Sequence, residues 1–161
     1  MTRGVMLDTS FLISLVDGNR AHHETAKHYY QHCLGENVPM FVSTIALSEF
    51  AIRQPVTDLP LRNIRPMTFT VPHAVKTAAL NFSAHRDPND RRDVVKDDFK
   101  ILGQVAEEAI PLLLTEDAQT LYRYCERLRT DGKIQCRAIK LVDGFDVAWF
   151  AGGQGDMFTK Q

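Results

Sequence analysis

The sequence of 161 residues has few of the features that mark secreted, membrane or zinc-stabilised proteins. Its three cysteines, Cys33, Cys125 and Cys136, are an odd number without a Cys-x-x-Cys pair, so neither a disulfide framework nor a zinc knuckle is predicted. No apolar run is long enough to span a bilayer, and the N-terminal residues lead into a strand pattern rather than a signal peptide. We therefore expect a cytoplasmic protein without membrane contact.

The chain also lacks an excess of charge of either sign. Its 19 Lys and Arg residues against 20 Asp and Glu residues give a net charge of -1 at pH 7. This balance argues against a domain that holds nucleic acid by bulk positive charge. It does not exclude a nuclease whose acidic centre is neutralised by bound cations. The length and the hydrophobic fraction of 44% predict a single globular domain over residues 1–161, with its motifs within 5–125 and a last strand and tail in 126–161.

The chain begins with a short apolar run that ends in an aspartate. Residues 5–13, VMLDTSFLI, place Asp8 between this run and a second apolar stretch with helical spacing. An Asp at the carboxyl end of a buried parallel strand lies where open α/β sheets bind ligands. Asp-Thr-Ser is also an ordinary helix start, in which the Asp side chain caps free N–H groups. For Asp8 taken alone, capping is the better explanation.

Two further carboxylates stand in comparable settings. Residues 110–114 form an apolar strand pattern followed by Thr115, Glu116 and Asp117 and then a helix, although Asp117 alone is again explained by capping. Glu49 lies in a mostly apolar helix over 45–52, which follows a strand candidate over 38–43. Two interpretations of Glu49 are equally good: an exposed pair with Arg53 at i,i+4, or a carboxylate over the sheet edge near Asp8.

A helix predicted over residues 94–109 carries the adjacent acids Asp97 and Asp98. Its apolar stripe consists of Leu102, Val105, Ala106 and Ala109, and one turn further back the stripe reaches Asp98. A carboxylate that continues a buried stripe is unfavourable unless a positive group meets it. Asp97 lies on the neighbouring side, where a charge in the first turn is favourable. We therefore favour Asp98 over Asp97 as the functional acid.

The remaining segments predict supporting structure. They are a strand over 63–70, a helix from Pro72 to about His85, a mobile charged loop over 85–93, a last strand over 133–142, a helical turn over 145–150 and a flexible Gly-rich tail over 152–155. The loop contains Arg86, Arg91 and Arg92, which are candidates for contact with a phosphate backbone. A solvated surface loop is the simpler interpretation.

Alternating strands and helices predict an α/β fold, a three-layer α/β/α sandwich with a mainly parallel central sheet. The strand ends at Asp8 and Asp117 then face the same side, where the helices bearing Glu49 and Asp98 can begin. Four carboxylates in one pocket repel each other unless a divalent cation binds, and oxygen ligands suit Mg2+ or Mn2+. Such a metal can activate water and stabilise the charge that develops when a phosphodiester is attacked.

Four motifs, taken in order, resemble those of the PIN-domain ribonucleases. They are LDTSFLI at 7–13, Ser48-Glu49, KDDFKIL at 96–102 and LTED at 114–117. The likeness is strongest to the VapC-type toxins of type II toxin–antitoxin pairs. It extends over about residues 5–125.

The resemblance implies a metal-dependent endoribonuclease with Asp8, Glu49, Asp98 and Asp117 as its catalytic acids. By this likeness Asp8 and Asp117 bind Mg2+ or Mn2+ most directly, Asp98 is a further metal ligand, and Glu49 and Asp98 complete the site and orient a water molecule. Supporting roles would belong to Ser10, Thr115 and Asp97. The family also implies an RNA substrate, products with 5′-phosphate and 3′-hydroxyl ends, a homodimer, and a small antitoxin whose C-terminal segment covers the active site.

Two other functions are compatible with the sequence. One is a PIN-like module that binds RNA or a protein partner without cleavage, through the charged loop and the last strand. The four acids argue against it, because a non-catalytic module has little reason to concentrate them. The other is a phosphatase-like enzyme with Asp8 as nucleophile. That chemistry usually needs a second acid two residues later, where this chain has Ser10.

Overall fold

The computed structural model of the protein describes residues 3–151, and within them the chain forms a five-stranded parallel sheet. The strands are β1 (Val5–Leu7), β2 (Met40–Ser43), β3 (Ile64–Met67), β4 (Leu112–Thr115) and β5 (Arg137–Lys140). Their order in the sheet is β3-β2-β1-β4-β5, and each neighbouring pair is parallel. The predicted α/β fold with a parallel sheet is confirmed.

Helices connect the strands and cover both faces of the sheet. They are α1 (Thr9–Val16), α2 (His23–Gly35), α3 (Thr44–Arg53), α4 (Val71–Ala79), α5 (Phe82–His85), α6 (Arg92–Glu107) and α7 (Leu121–Thr130), with short 3-10 turns at Val56–Asp58 and Leu141–Asp143. Right-handed crossovers over a sheet of this order put α1 to α3 on one face and α4 to α7 on the other. No helix in residues 3–151 combines the length and the apolar character needed to cross a bilayer. The predicted Gly-rich tail over 152–155 lies outside the described residues.

The central strands owe their position to their composition. All residues of β1 and β4 are buried, as expected for strands covered by helices on both faces. β3 contains Pro66, which lacks an N–H donor, and it lies at the edge of the sheet, where one side needs no partner strand.

Cys33, Cys125 and Cys136 are buried free thiols, in agreement with the absence of a predicted disulfide framework.

The strand order makes the carboxyl ends of β1 and β4 the natural place for a ligand. The chain leaves β1 toward β2 and β3, and then returns to the other side of β1 to form β4 and β5. In open α/β sheets, ligands bind outside the carboxyl ends of the strands at this point of reversal. Asp8 follows β1, and Glu116 and Asp117 follow β4.

Two of the predicted helices have different ends in the structure. The helix expected from Pro72 to His85 is interrupted at Asn81, whose φ of 58° is left-handed and whose side chain caps α5 by accepting from the Ala84 N–H at 3.3 Å. An Asn tolerates this conformation better than most residues and can start a new helix. Ala109, expected at the end of the 94–109 helix, has φ 53° and lies beyond α6.

The charged loop between α5 and α6, predicted to be mobile, is anchored to α7. Asp87 and Asp90 both form ion pairs with Arg123, the latter at 2.5 Å. The Tyr124 hydroxyl donates to Asp90 at 2.5 Å and accepts from the Asp87 N–H at 3.0 Å. These partners are more than 30 residues away in sequence, so local composition alone did not indicate them.

Candidate active site

Asp8 is buried at the end of β1, where it both caps α1 and lies at the carboxyl end of the sheet. Its Oδ1 accepts hydrogen bonds from the Phe11 N–H at 2.8 Å and the Ser10 hydroxyl at 2.9 Å. Its Oδ2 accepts from the Thr115 hydroxyl at 2.6 Å. The capping and edge positions expected of Asp8 are therefore compatible, because one carboxylate has enough oxygen lone pairs for several donors.

Ser10 and Thr115 join the ends of β1 and β4. Their hydroxyl oxygens lie 3.2 Å apart, and both bind Asp8. Both also accept from the Asp117 N–H, Ser10 at 3.2 Å and Thr115 at 2.8 Å. The two hydroxyl residues thus hold Asp8 and the start of the Asp117 turn in one hydrogen-bonded unit.

Asp117 is held by the first residues that lead into α7. Its Oδ2 accepts from the Thr120 hydroxyl at 2.6 Å, and its Oδ1 accepts from the N–H groups of Gln119 at 2.8 Å and Thr120 at 3.0 Å. The N-cap residue of α7 is Thr120, so the prediction that Asp117 itself caps this helix is wrong, and Asp117 instead caps the turn that precedes it. Its side chain lies next to the carboxyl end of β4.

Glu49 takes the second of its two expected orientations. Its Oε2 accepts from the Thr9 hydroxyl at 2.8 Å, so α3 places this carboxylate beside the residue that follows Asp8. Arg53 is exposed, and no ion pair between Glu49 and Arg53 is present in the described structure. The helix-surface pair is therefore not formed.

Asp98 and Asp97 differ in their surroundings as the helix pattern predicts. Asp98 Oδ2 is buried and has no hydrogen-bond partner among residues 3–151. Asp97 is half-exposed and lies 3.5 Å from the Lys100 ammonium group. Asp98 is also close enough to Asp117, Asp8 and Glu49 for their charges to raise its pKa. The structure thus brings Asp98 to the other acids, while Asp97 lies at the border of the group and its charge acts on Glu49.

Burial controls the protonation of this group. It raises the pKa of Asp98 to about 8, with the neighbouring acids adding to the rise and the Thr120 hydroxyl opposing it. Burial also raises the pKa of Asp8 to about 7, against the hydrogen bonds from Thr115, Phe11 and Ser10. The pKa of Glu49 is raised by burial too. At neutral pH, Asp8 and Asp98 therefore still bind protons for part of the time in the metal-free protein.

Asp117 behaves in the opposite way. Burial would raise its pKa, but the hydrogen bonds from the Thr120 hydroxyl and from the N–H groups of Thr120, Gln119 and Leu121 outweigh that effect and lower the pKa. Hydrogen bonds to the charged form of a carboxyl favour that form. Asp117 is thus the acid of the group that is most firmly ionised.

The four acids share one region without meeting at one point. Within residues 3–151, no three His, Cys, Asp or Glu side chains are close enough to form a ready metal site. The single metal-binding pocket expected from the sequence therefore stays a prediction. Asp8, Glu49 and Asp117 are each turned toward hydroxyl donors, namely Thr115, Thr9 and Thr120.

The chemistry of the group nevertheless fits a hard divalent cation. The candidate ligands are carboxylate oxygens, which Mg2+ and Mn2+ prefer. The buried Asp98 Oδ2 without a partner and the raised pKa values of Asp8 and Asp98 are conditions that a bound cation would relieve.

Several participating residues were not singled out from the sequence. The Thr9 hydroxyl donates to Glu49, and the Thr120 hydroxyl donates to Asp117. Their positions in the sequence, directly after Asp8 and three residues after Asp117, could have indicated them. Glu116 bonds instead to Ser14 and, at 3.1 Å, to Arg20.

The arginines proposed as phosphate contacts have other partners. Arg86 donates to the Asp90 carbonyl at 2.9 Å, Arg91 pairs with Asp93 at 2.7 Å, and Arg92 lies over the Phe82 ring at 5.8 Å. Among the contacts of these arginines in the described residues, none is to Asp8, Glu49, Asp98 or Asp117.

Comparison with known proteins gives a structural likeness at low sequence identity. No protein-family model and no curated protein sequence matches the chain. The crystal structure of VapC20 from Mycobacterium tuberculosis, a sarcin-ricin loop cleaving toxin, is 17% identical, with a TM-score of 0.54 over 83% of this chain and 99% of that one.

Two complexes give similar values. VapBC2 from Rickettsia felis, bound to a DNA fragment from its promoter, is 13% identical, with a TM-score of 0.57 over 83% of this chain and 97% of that one. DNA-bound VapBC from Salmonella typhimurium is 16% identical, with a TM-score of 0.55 over 86% and 98%. The chain therefore has the PIN-domain α/β fold of the VapC toxins, as its motifs predicted.

Proposed function

We propose that the protein is a metal-dependent endoribonuclease that hydrolyses RNA phosphodiester bonds and acts as the toxin of a toxin–antitoxin pair. The observation that carries the proposal is a group of four acids in a PIN fold, at the carboxyl ends of β1 and β4, where the strand order reverses: Asp8, Glu49, Asp98 and Asp117. One buried carboxylate oxygen of this group, Asp98 Oδ2, has no hydrogen-bond partner in the described residues. The charges of Asp117, Asp8 and Glu49 raise the pKa of Asp98, and such repulsion is unfavourable unless a cation binds, which supports a functional rather than a structural role for the group.

Each acid has a task that follows from its surroundings. Asp8, Asp98 and Asp117 would hold Mg2+ or Mn2+, and Glu49, fixed by Thr9, would orient a water molecule. When bound, the metal would activate water and stabilise the charge that develops on the attacked phosphate. Because the pKa values of Asp8 and Asp98 are raised, these two acids must release protons when the cation binds, so metal affinity should increase with pH. Ser10 and Thr115 would keep Asp8 in place. Asp97, whose charge raises the pKa of Glu49, would have a supporting role at the border of the group.

The similar structures support the biological setting. VapC20 is a sarcin-ricin loop cleaving toxin, which supports RNA as the substrate class. Two further similar structures are VapBC complexes, which supports a small antitoxin as the partner that silences this chain. A homodimer in the cytoplasm completes the proposal.

The test is cleavage of a mixed RNA pool by the purified protein with Mg2+, with Mn2+ and with EDTA. Wild type is compared with Asp8→Asn and Asp117→Asn, and with Asp58→Asn, an exposed acid outside the group, as the control. We expect cutting only with metal, a loss of roughly 10²-fold or more in rate for both site variants, and no change for the control. A contaminating nuclease would instead give the same cutting in every preparation.

The non-catalytic alternative predicts different results. Tight RNA binding without cleavage under any metal condition, together with no rise of the melting temperature on addition of Mn2+, would refute the nuclease and favour a binding module. Cleavage that persists in Asp8→Asn and Asp117→Asn would show that the acids are not the site.

A further inference from the structure

Lys140 lies at the same end of the sheet as the acids, one strand away from β4. It is the last residue of β5, and its position is in register with Thr115 of β4, whose hydroxyl binds Asp8. Neighbouring parallel strands are about 4.8 Å apart, so the Lys140 backbone is close to the acidic group. A lysine side chain here can reach a phosphate of a strand that crosses the sheet edge.

Tyr122 connects this lysine with α7 and with a surface groove. The Lys140 ammonium group lies 4.6 Å from the centre of the Tyr122 ring. The Tyr122 N–H donates to the Asp117 carbonyl at 3.3 Å, so the ring belongs to the turn that carries one of the acids. Tyr122 also lines a groove of about 640 Å³ between α5 and α7, together with Ala118, the residue after Asp117. Tyr122 is therefore half-exposed and borders a groove that also contacts the residue next to Asp117.

Other basic residues near α7 and the start of α2 are already paired with carboxylates. Arg123 and Arg127 both bind Asp87, the latter at 2.9 Å. Arg20 binds Glu116 at 3.1 Å. Lys140 has a weaker contact, with the Asp143 carboxylate 3.9 Å away. An ion pair of that length at a partly exposed site contributes little, so Lys140 is free to exchange it for a phosphate.

We propose that Tyr122 and Lys140 form a nucleotide-binding subsite beside the acidic group, in which Lys140 binds a backbone phosphate and Tyr122 stacks on the adjacent base of a single RNA strand. A basic group that follows the backbone and an aromatic ring that stacks on bases are the two contacts by which single strands are bound without sequence preference. The subsite deepens the proposed nuclease function and rests on it for its substrate.

A purely structural role is the competing explanation. A lysine over a tyrosine ring also attaches β5 to the first turn of α7 through a cation–π contact. That role predicts a loss of stability on substitution and no specific loss of RNA binding. The two explanations are separated by measurements on nucleic acid rather than on folding.

The experiment measures binding of labelled single-stranded RNA oligonucleotides by fluorescence anisotropy over a range of salt concentrations. The protein carries Asp117→Asn so that it does not cut, and EDTA is present. To this background we add Lys140→Gln, Lys140→Arg, Tyr122→Leu or, as a control, Lys133→Gln. Lys133 is an exposed lysine that precedes β5, so it lies toward the amino-terminal end of the strands, away from the acids. Melting temperatures show that each variant is folded.

For Lys140→Gln we expect several-fold weaker binding and a slope of log K against log salt that is lower by about 0.7, the value for one phosphate contact on a single strand. Lys140→Arg should keep both. Tyr122→Leu should weaken binding by roughly 5- to 100-fold, the range for one stacked base, and this loss should disappear with an abasic oligonucleotide. Lys133→Gln should change nothing.

Two outcomes would overturn the subsite. Unchanged affinity and salt slope in folded Lys140→Gln would exclude the phosphate contact, and an equal loss for Tyr122→Leu on abasic and normal RNA would exclude stacking. Cleavage by wild type is scored separately. If wild type cuts RNA while these variants bind normally, the subsite is wrong and the nuclease stands. If the variants lose binding while wild type never cuts, the subsite stands and the nuclease is wrong.

Discussion

Asp98 should make the metal-free protein less stable as the pH rises, and Asp98→Asn should remove this effect. Its pKa is about 8 in the folded protein against 3.8 for an unperturbed Asp. The folded state therefore binds more protons than the unfolded state between these values, and the free energy of unfolding falls with rising pH across that window. Below about pH 4 the carboxyl is protonated in both states and contributes no difference.

The size of the effect follows from the two pKa values. At about 1.4 kcal/mol per pKa unit, the difference corresponds to roughly 5 kcal/mol at pH 8 if Asp98 bears it alone. Asp8 and Asp98 influence each other, so part of the difference belongs to the pair. We expect Asp98→Asn to stabilise the metal-free protein by about 2–3 kcal/mol at pH 8, which is roughly 4–12 °C in melting temperature for a chain of this size.

The assay is thermal unfolding followed by circular dichroism in EDTA at pH 4.5 and at pH 8, for wild type, Asp98→Asn and Asp97→Asn. Asp97 is the matched control because it is the adjacent acid and is half-exposed beside Lys100. Its substitution should change stability little at either pH. If Asp98→Asn lowered the melting temperature at pH 8, or shifted it equally at both pH values, Asp98 would not be the buried, charge-repelled acid described above.

Two further perturbations test the surroundings of the site and its packing. Thr115→Val removes the 2.6 Å hydrogen bond to Asp8 and should lower the free energy of unfolding, measured in urea at pH 8, by about 1–2 kcal/mol. Thr115→Ser keeps the hydroxyl and should retain most of this stability. Equal losses for both variants would show that the hydroxyl is unimportant. Gly103→Ala should lower the free energy of unfolding by about 1–3 kcal/mol in the same assay, because the added Cβ would lie 3.0 Å from Thr77 Cβ and closer still to its hydroxyl. Adding Thr77→Ala should recover part of the loss. Unchanged stability of Gly103→Ala would contradict the tight packing of α4 on α6.

Local sequence patterns were enough to predict the fold class, the parallel sheet and Asp98 rather than Asp97 as the acid nearer the group. These follow from local patterns, since an apolar strand, a capping residue and a helical stripe are each read within about ten residues. Asp8 and Asp117 were placed at strand ends for the same reason. The hydroxyl bonds of Ser10 and Thr115 to Asp8 agree with the supporting positions that the PIN resemblance implied.

Contacts between residues far apart in sequence could not be predicted in this way, because they depend on how the helices and strands pack. The orientation of Glu49 toward Thr9 depends on how α3 packs beside α1, and the anchoring of the 86–91 loop depends on Arg123 and Tyr124. The pKa values of Asp8 and Asp98 depend on burial and on neighbouring charges that other strands and helices bring close, and neither quantity is a property of a local segment. The same holds for Lys140, which becomes a neighbour of the acids and of the Tyr122 ring only because β5 pairs with β4.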